Sequence, residues 1–146
     1  MKDLKAMKQA PMSERPVVLF TGTRRQLTDD ERKFIREDFV RFVPDGAIVM
    51  HGQCKTGVDA FVDYLAEKAC VFCVRVPAPW EGMDHDRAAG MLRNELMAYQ
   101  LQLYLLEGHS CKVLGYPSKS KGSGTQNMLL LVSGLEGVGV FMREFD

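Results

Sequence analysis

The sequence predicts an α/β domain in which a mainly parallel, five-stranded sheet is covered by helices on both faces. Short, almost continuously apolar segments alternate with longer segments whose apolar residues recur at helical spacing, and the order reads βαβαβαβαβ. This alternation, with short loops, is typical of parallel sheets joined by right-handed crossovers. A length of 146 residues with 46% hydrophobic content suits one core rather than two independent domains.

The five predicted strands are short apolar runs. They lie at residues 17–20, 47–50, 71–76, 111–116 and 138–142. A run without polar interruptions is what a strand needs when both of its faces are buried. Each run is therefore interpreted as a strand inside a sheet that helices cover on both sides.

Helical spacing and end signals predict the four helices. Thr28 and Glu31 have the spacing of a capping box and begin a helix that runs to Phe42. Apolar residues at helical spacing predict the other three helices. They are Val58, Phe61, Val62, Leu65 and Ala69 in the second helix, Leu92, Leu96, Tyr99, Leu103 and Leu106 in the third, and Met128, Leu129, Val132 and Leu135 in the fourth.

Charge and hydropathy limit the partners. Lys+Arg and Asp+Glu both number 19, so the whole domain lacks the positive bias of a nucleic-acid binder. Residues 1–15 contain no apolar run suited to a signal peptide and are interpreted as a flexible tail before a domain of residues 16–146. No uncharged stretch has the length of a bilayer span. We expect a soluble, cytoplasmic protein without a membrane partner.

The cysteines do not predict a metal site. Cys70 and Cys73 have CxxC spacing, but we expect both on one strand, where positions three apart point to opposite faces. His51 and Cys54 are close in sequence, yet a structural zinc site needs four ligands. The acidic loop at residues 84–86 is interpreted as solvated. We therefore expect no metal and no cofactor.

Glycines, hydroxyls and arginines follow the predicted strands, where open α/β sheets bind ligands. The candidate ligand-binding residues are Thr21, Gly22, Thr23 and Arg24 after the first strand; His51, Gly52, Lys55, Gly57 and Asp59 after the second; Trp80 after the third; Arg93 and Asn94 on the long third helix; and Gly122, Ser123, Gly124 and Thr125 at the start of the last helix. Glycine-rich turns and helix N-termini offer N–H groups to phosphate, and arginine binds it with two donors. Together, these glycines, hydroxyls and arginines predict a nucleotide-type ligand.

Each candidate group also has a purely structural interpretation. The turn at residues 21–24 suits a tight bend with a solvated arginine. Asp59 lies three residues after Thr56, which is the spacing of a capping box. Ser123 or Thr125 suits a helix cap, and Trp80 suits core packing as well as stacking on a base. The sequence alone leaves both interpretations open.

Five segments, read in order, resemble the motif series of the YspA-like (cpYpsA-related) branch of the SLOG superfamily. They are TGTR, HGQCKTGVDA, the PW after the third strand, AAGMLRNELM and GSGT, and they span nearly all of residues 17–141. The resemblance implies a Rossmann-like three-layer sandwich that binds a nucleotide or nucleotide-derived ligand. An ADP-ribose-like or cyclic nucleotide signal, sensed or sequestered, is the expected ligand.

The sequence is also similar, more distantly, to the LOG-type phosphoribohydrolases. These enzymes cleave a nucleotide N-glycosidic bond with an arginine of an RxxxM helix and a glutamate of a PGGxGTxEE loop. Arg93 and Met97 match the first motif, but Asn127 and Met128 stand where the paired glutamates would be. The first hypothesis is therefore a non-catalytic binding protein. The alternatives are a nucleotide N-glycosidase that uses Arg93 with Glu95 or Asp59, and an interaction module with a vestigial pocket.

The third helix also predicts self-association. It is apolar around more of its circumference than a helix covering one side of a sheet requires, at Leu101, Leu103, Tyr104, Leu105 and Leu106. We expect an outward strip between Arg93 and Leu106 that forms a homodimer or higher homo-oligomer, as the resemblance also implies. The alternative is a monomer in which the sheet and residues 1–15 cover the strip.

Overall fold

The computed structural model describes residues 15–78, 86–119 and 123–146 and has the predicted order of strands and helices. The elements are β1 Val17–Gly22, α1 Asp29–Phe42, β2 Ile48–His51, α2 Gly57–Lys68, β3 Phe72–Arg75, α3 Asp86–Leu106, β4 Cys111–Tyr116, α4 Ser123–Ser133 and β5 Val138–Met142. In the described ranges, none of the helices combines the length and apolar character needed to cross a membrane.

All five strands are parallel, and their order across the sheet is β3-β2-β1-β4-β5. Val17 of the central strand β1 pairs with Ile48 of β2 on one side and Cys111 of β4 on the other. The chain moves outward from β1 to β3 and then returns to β4, next to β1. The strand order reverses at this point, and a crevice opens at the carboxyl ends of β1 and β4.

Neighbouring residues of β1 point to opposite faces of the sheet, and each face has its own core. One core is formed with α1 and α2 and includes Val18, Phe20, Ile35, Phe39, Val58, Val62, Leu114 and Tyr116. The other is formed with α3 and α4 and includes Val17, Leu19, Ile48, Met50, Met97, Leu101, Met128 and Val132. These two cores confirm the predicted Rossmann-like three-layer sandwich.

The capping box predicted for α1 is confirmed. The Glu31 backbone N–H donates to Thr28 Oγ1 at 3.2 Å, and the Thr28 N–H donates to Glu31 Oε1 at 2.9 Å. The Arg25 guanidinium donates to both carboxylate oxygens of Glu31, at 2.7 and 2.6 Å. This hydrogen bonding lowers the pKa of Glu31 to about 2. The turn between β1 and α1 is therefore held by a charged pair.

Helix α3 faces the sheet with a different side from the one the apolar spacing marked. Met97 and Leu101 are buried against the sheet. The exposed large apolar side chains of α3 are Met91, which lines the cavity described below, and Leu92, Leu96, Tyr99, Leu103 and Leu106. The predicted outward strip is wrong at Leu101, which is fully buried, and Tyr104 and Leu105 are only partly exposed. Because α3 is apolar on two opposite sides, periodicity does not decide which side meets the sheet.

Candidate functional site

A cavity of about 490 Å³ opens at the carboxyl ends of the strands, beside the reversal between β1 and β4. Its lining residues are Thr21, Gly22, Thr23, Arg24 and Arg25 after β1; Cys54 and Asp59 around the start of α2; Gly90, Met91, Arg93, Asn94 and Met97 on α3; and Gly124, Thr125 and Asn127 on α4. The volume is in the range of small-molecule sites. The turn after β1 and three helices thus converge on one cavity.

Two glycines allow the turn after β1 to lie against α2. A Cβ on Gly22 would lie 2.4 Å from Val58 Cγ2. Gly57 has a φ of +78°, and a Cβ there would lie 2.2 Å from the Thr23 carbonyl oxygen. That oxygen accepts the Val58 N–H at 3.0 Å, and the Thr23 N–H donates to the Tyr116 carbonyl at 3.0 Å. The wall of the cavity is thus fixed by backbone contacts that larger residues would prevent.

Arg93 is the most unusual charged group of the cavity. Its side chain is almost fully buried, with the residue 5% exposed, and its Nη1 donates to the Gly52 carbonyl at 2.9 Å and contacts Cys54 Sγ at 3.2 Å. Its Nε has no hydrogen-bond partner in the part of the chain that the structure describes. None of the ion pairs among the described residues includes Arg93. A buried guanidinium without a carboxylate is unfavourable unless another anion approaches it.

Two further arginines line the same cavity. The Arg24 guanidinium lies over Gly90, where a Cβ would be 2.6 Å from Arg24 Nη2. Arg25 also lines the cavity, although Glu31 pairs with it. Asp59 is the one carboxylate among the described lining residues. Because Glu31 already balances Arg25, the charge that favours an anion in the cavity is that of the buried Arg93 guanidinium.

Asp59 is held at the cavity rather than in a helix cap. Its Oδ2 accepts the Cys54 backbone N–H at 3.2 Å. Thr56 makes no side-chain cap hydrogen bond, and its hydroxyl donates to the Arg24 carbonyl instead. The capping-box interpretation of Asp59 is therefore wrong. Burial, together with the nearby Asp59 carboxylate, raises the pKa of the Cys54 thiol against the opposing effect of Arg93.

The N-terminal end of α4 forms the opposite wall. Asn94 of α3 donates through Nδ2 to the Gly124 carbonyl at 3.0 Å and to Asn127 Oδ1 at 3.1 Å. Thr125 is buried and lines the cavity. The first turn of α4 contains no acidic residue, whereas that of α1 contains three. The positive end of the α4 dipole therefore faces the cavity without a charged side chain of its own to balance it.

His51, a predicted ligand residue, has a structural environment outside the cavity. The Gln53 N–H donates to His51 Nδ1 at 2.9 Å, so the proton of the neutral ring is on Nε2, which donates to Asp63 Oδ1 at 2.8 Å. Arg75 Nε donates to the same oxygen at 2.6 Å. Burial raises the pKa of Asp63, but the hydrogen bonds from Arg75 and His51 outweigh it, so the net pKa is below its ordinary value.

A metal ion would not fit easily between His51, Asp63 and Cys73. The ligand atoms of His51, Asp63 and Cys73 all lie within 4.8 Å of one another. A metal would need the lone pair of His51 Nε2, but the backbone N–H on Nδ1 keeps the proton there. Burial also raises the pKa of Cys73 to about 11, which opposes the thiolate that a metal requires. Cys70 lies in the turn before β3, with a φ of 55°, so its predicted position on a shared strand is wrong.

Other sequence candidates do not reach the cavity or lie outside the described residues. Lys55 and Glu95 are exposed and do not line it. Trp80, Gly122 and the Ser123 side chain are outside the part of the chain that the structure describes.

Several lining residues were not among the predicted ligand contacts. They are Arg25, Cys54, Gly90, Met91, Met97 and Asn127. Met97 lies one helical turn after Arg93 and hence on the same face, a signal that the spacing already contained. Arg25 directly follows the predicted turn, but only the folded chain shows that it and Asn127 reach the same space.

The fold and the cavity define the class of the protein as a Rossmann-like α/β protein with a doubly wound parallel sheet. Comparison of the chain with protein-family models, curated proteins and solved structures found no match. The resemblance to the SLOG superfamily therefore stays a prediction that depends on the motifs.

Proposed function

We propose that the protein binds a phosphate-bearing, nucleotide-type ligand in the cavity, as a sensing or sequestering protein, and that Arg93 binds the phosphate. One observation carries the proposal: Arg93 is buried at the cavity, and no carboxylate pairs with it among the described residues. A phosphate supplies the missing charge and accepts charge-assisted hydrogen bonds from the guanidinium.

The surroundings of Arg93 support the same ligand. The N-terminal turn of α4 is uncompensated by acidic residues, and such helix ends favour phosphate. Gly52 allows Arg93 to approach the backbone, because a Cβ there would lie 2.6 Å from Arg93 Cδ. Positive charge and small residues therefore occur together on one side of the cavity.

The position of Asp59 supports a ligand that carries a sugar next to its phosphate. One of its oxygens accepts the Cys54 N–H, and the residue lines the cavity. A carboxylate accepts hydrogen bonds and donates none when ionised, which suits the hydroxyls of a ribose. The motif resemblance to the SLOG superfamily points to the same ligand class.

Calorimetric titration tests the proposal. The titrants are AMP, ADP-ribose, NAD⁺ and cyclic AMP, with inorganic phosphate as the baseline. We expect saturable binding of at least one nucleotide and, for Arg93→Met, an affinity at least about tenfold lower, because a charge-assisted hydrogen bond is lost.

Arg41→Gln is the matched control, since Arg41 is exposed in the last turn of α1 and away from the cavity. Its affinity should equal that of the wild type. No binding of any nucleotide contradicts the proposal and leaves an interaction module with a vestigial pocket.

The second candidate is a nucleotide N-glycosidase, and the presence of Asp59 in the same cavity as Arg93 favours it. Among the described residues, Asp59 is the carboxylate available to stabilise positive charge on the sugar, because Glu95 is exposed and outside the lining. Incubation with nucleoside monophosphates and NAD⁺, followed by chromatography for free base, separates the two functions. Release of base that Asp59→Asn abolishes would establish the enzyme; binding without release supports the binding protein.

A further inference from the structure

The outward side of α3 carries a regular apolar strip. We call Leu92, Leu96, Tyr99, Leu103 and Leu106 the outer strip; all five are exposed. They are alternately four and three residues apart, which is the a/d spacing of a coiled coil. The opposite side of α3 already packs on the sheet through Met97 and Leu101. Covering the sheet therefore does not explain the outer strip.

The residues in and around the outer strip favour an uncharged helix as its binding partner. Residues 96–106 contain no charged side chain. The polar residues beside the strip are glutamines 100 and 102, with Glu95 and Glu107 near its two ends. A strongly charged partner would find no opposite charges along the centre of this surface. A second α3, with the same spacing and the same neutral centre, matches it.

We propose that the outer strip pairs with the outer strip of a second copy of this chain, antiparallel and about a twofold axis. In this arrangement Leu92 packs against Leu103 of the second copy, and Leu96 packs against its Tyr99. Glu95 then lies near Gln102 of the second copy, so no like charges face each other. The twofold axis makes each contact occur twice.

The area of the outer strip determines how tightly two copies of the chain are expected to associate. The outer strip spans fourteen residue steps, or about 21 Å of helix, and a helix with side chains is about 10–12 Å wide. The footprint of two such strips is roughly 420–500 Å² in total, which is below the area of standard specific interfaces and typical of weak, reversible association. We therefore expect a reversible dimer with a dissociation constant in the micromolar range.

Sedimentation equilibrium of the full chain tests the dimer, from about 1 to 500 µM so that the range brackets a micromolar constant. Leu96→Glu should raise the dissociation constant roughly 100-fold or more, because a carboxylate enters the apolar contact in both copies. Val40→Glu is the matched control: Val40 is 76% exposed, but it lies on α1 in the opposite layer. Its dimer constant should be unchanged, and circular dichroism checks that both variants fold.

Disulfide crosslinking tests the direction of pairing, in a Cys70→Ser background that removes the exposed cysteine. After oxidation with copper phenanthroline, the double variant Leu92→Cys/Leu103→Cys should form a covalent dimer, and Leu92→Cys alone should not. Crosslinking of Leu92→Cys alone indicates parallel helices and overturns the antiparallel pairing.

Three results overturn the proposed surface. They are a monomer throughout the concentration range, a dimer that Leu96→Glu leaves intact, and a monomer that sediments with phosphatidylcholine vesicles through the outer strip. Ligand binding by monomeric Leu96→Glu, measured by calorimetry, would show that the cavity functions without the dimer.

Discussion

Arg143 and Arg93 lie on opposite sides of the sheet and differ in their partners. Arg143 follows β5 and donates through Nε and Nη2 to the Asp38 carboxylate, at 3.1 and 3.0 Å. Tyr116 donates its hydroxyl to the same carboxylate at 2.9 Å. Arg93 is more deeply buried, yet it has no such carboxylate among the described residues. The first arrangement stabilises the fold, whereas the second leaves a buried positive charge without a carboxylate partner among the described residues.

The packing around the two arginines differs in the same way. On the Asp38 side, Phe20 stacks on Phe39 with ring centroids 5.8 Å apart and on Tyr116 at 6.4 Å. Burial, and then the Asp38 charge, raise the pKa of Tyr116, so its hydroxyl remains a donor at ordinary pH. On the Arg93 side, the cavity interrupts the packing. The first side is closely packed, and the second contains the candidate site.

Removing Asp38 should have the largest effect on stability. Asp38→Ala leaves the Tyr116 hydroxyl and the Arg143 guanidinium without their acceptor, and we expect a loss of about 3–5 kcal/mol in the free energy of unfolding. Urea denaturation measures it. Tyr116→Phe, which removes one hydrogen bond and keeps the ring, should lose only about 1 kcal/mol. An Asp38→Ala protein as stable as Tyr116→Phe would contradict the structural role of this carboxylate.

The second largest difference in the free energy of unfolding is expected between alanine substitutions at Gly57, which lies against the turn after β1, and at Gly124, which lines the cavity. Gly57→Ala should lose about 2 kcal/mol or more, because its φ is +78° and a Cβ would clash with the Thr23 carbonyl. The displaced turn should also weaken nucleotide binding. At Gly124 a Cβ meets nothing within 4 Å, so Gly124→Ala should change stability by less than about 1 kcal/mol. Equal losses at both positions, measured by urea denaturation, would be evidence against the described turn.

The Arg25–Glu31 pair predicts a pH dependence. Glu31 has a pKa of about 2 in the folded chain against 4.5 as its ordinary value, so its contribution is present above the higher value and is lost as the pH falls through the lower one. At neutral pH, Glu31→Gln should cost about 1–2 kcal/mol. The gap between the two proteins should be constant above about pH 5 and shrink towards pH 2. Urea denaturation at a series of pH values measures this gap, and one that stays constant in acid would contradict the pairing.

Local patterns predicted the fold well because they depend on neighbouring residues. The strands at residues 111–116 and 138–142 have the predicted bounds. The first is buried, as a continuous apolar run predicts, whereas β5 is an edge strand on which Val140 and Met142 are exposed. The Thr28 cap also follows from a short spacing. The orientation of α3 did not follow, because apolar residues occupy both of its sides. That no described carboxylate pairs with Arg93 is not encoded locally, since it depends on which side chains surround Arg93 in the fold.

The spacing of Asp59 shows how a short pattern can mislead. Three residues separate it from Thr56, as in the true capping box of Thr28 and Glu31. In the fold, Thr56 bonds to the Arg24 carbonyl and Asp59 bonds to the Cys54 N–H. A contact 32 residues away along the chain decided the outcome, and a local pattern does not contain it.

The most direct test of the contrast between the two arginines is the unfolding free energy of Arg93→Met, measured with and without a binding nucleotide. Without ligand, we expect it within about 1 kcal/mol of the wild type, because losing the bond to Gly52 is offset by removing a buried charge that no described carboxylate balances. At a nucleotide concentration about 100 times the wild-type dissociation constant, the wild type should gain about 2.7 kcal/mol and Arg93→Met at most about half of that. A ligand-free loss of about 3–5 kcal/mol with the full ligand-dependent gain retained would contradict the assignment of Arg93 to the ligand.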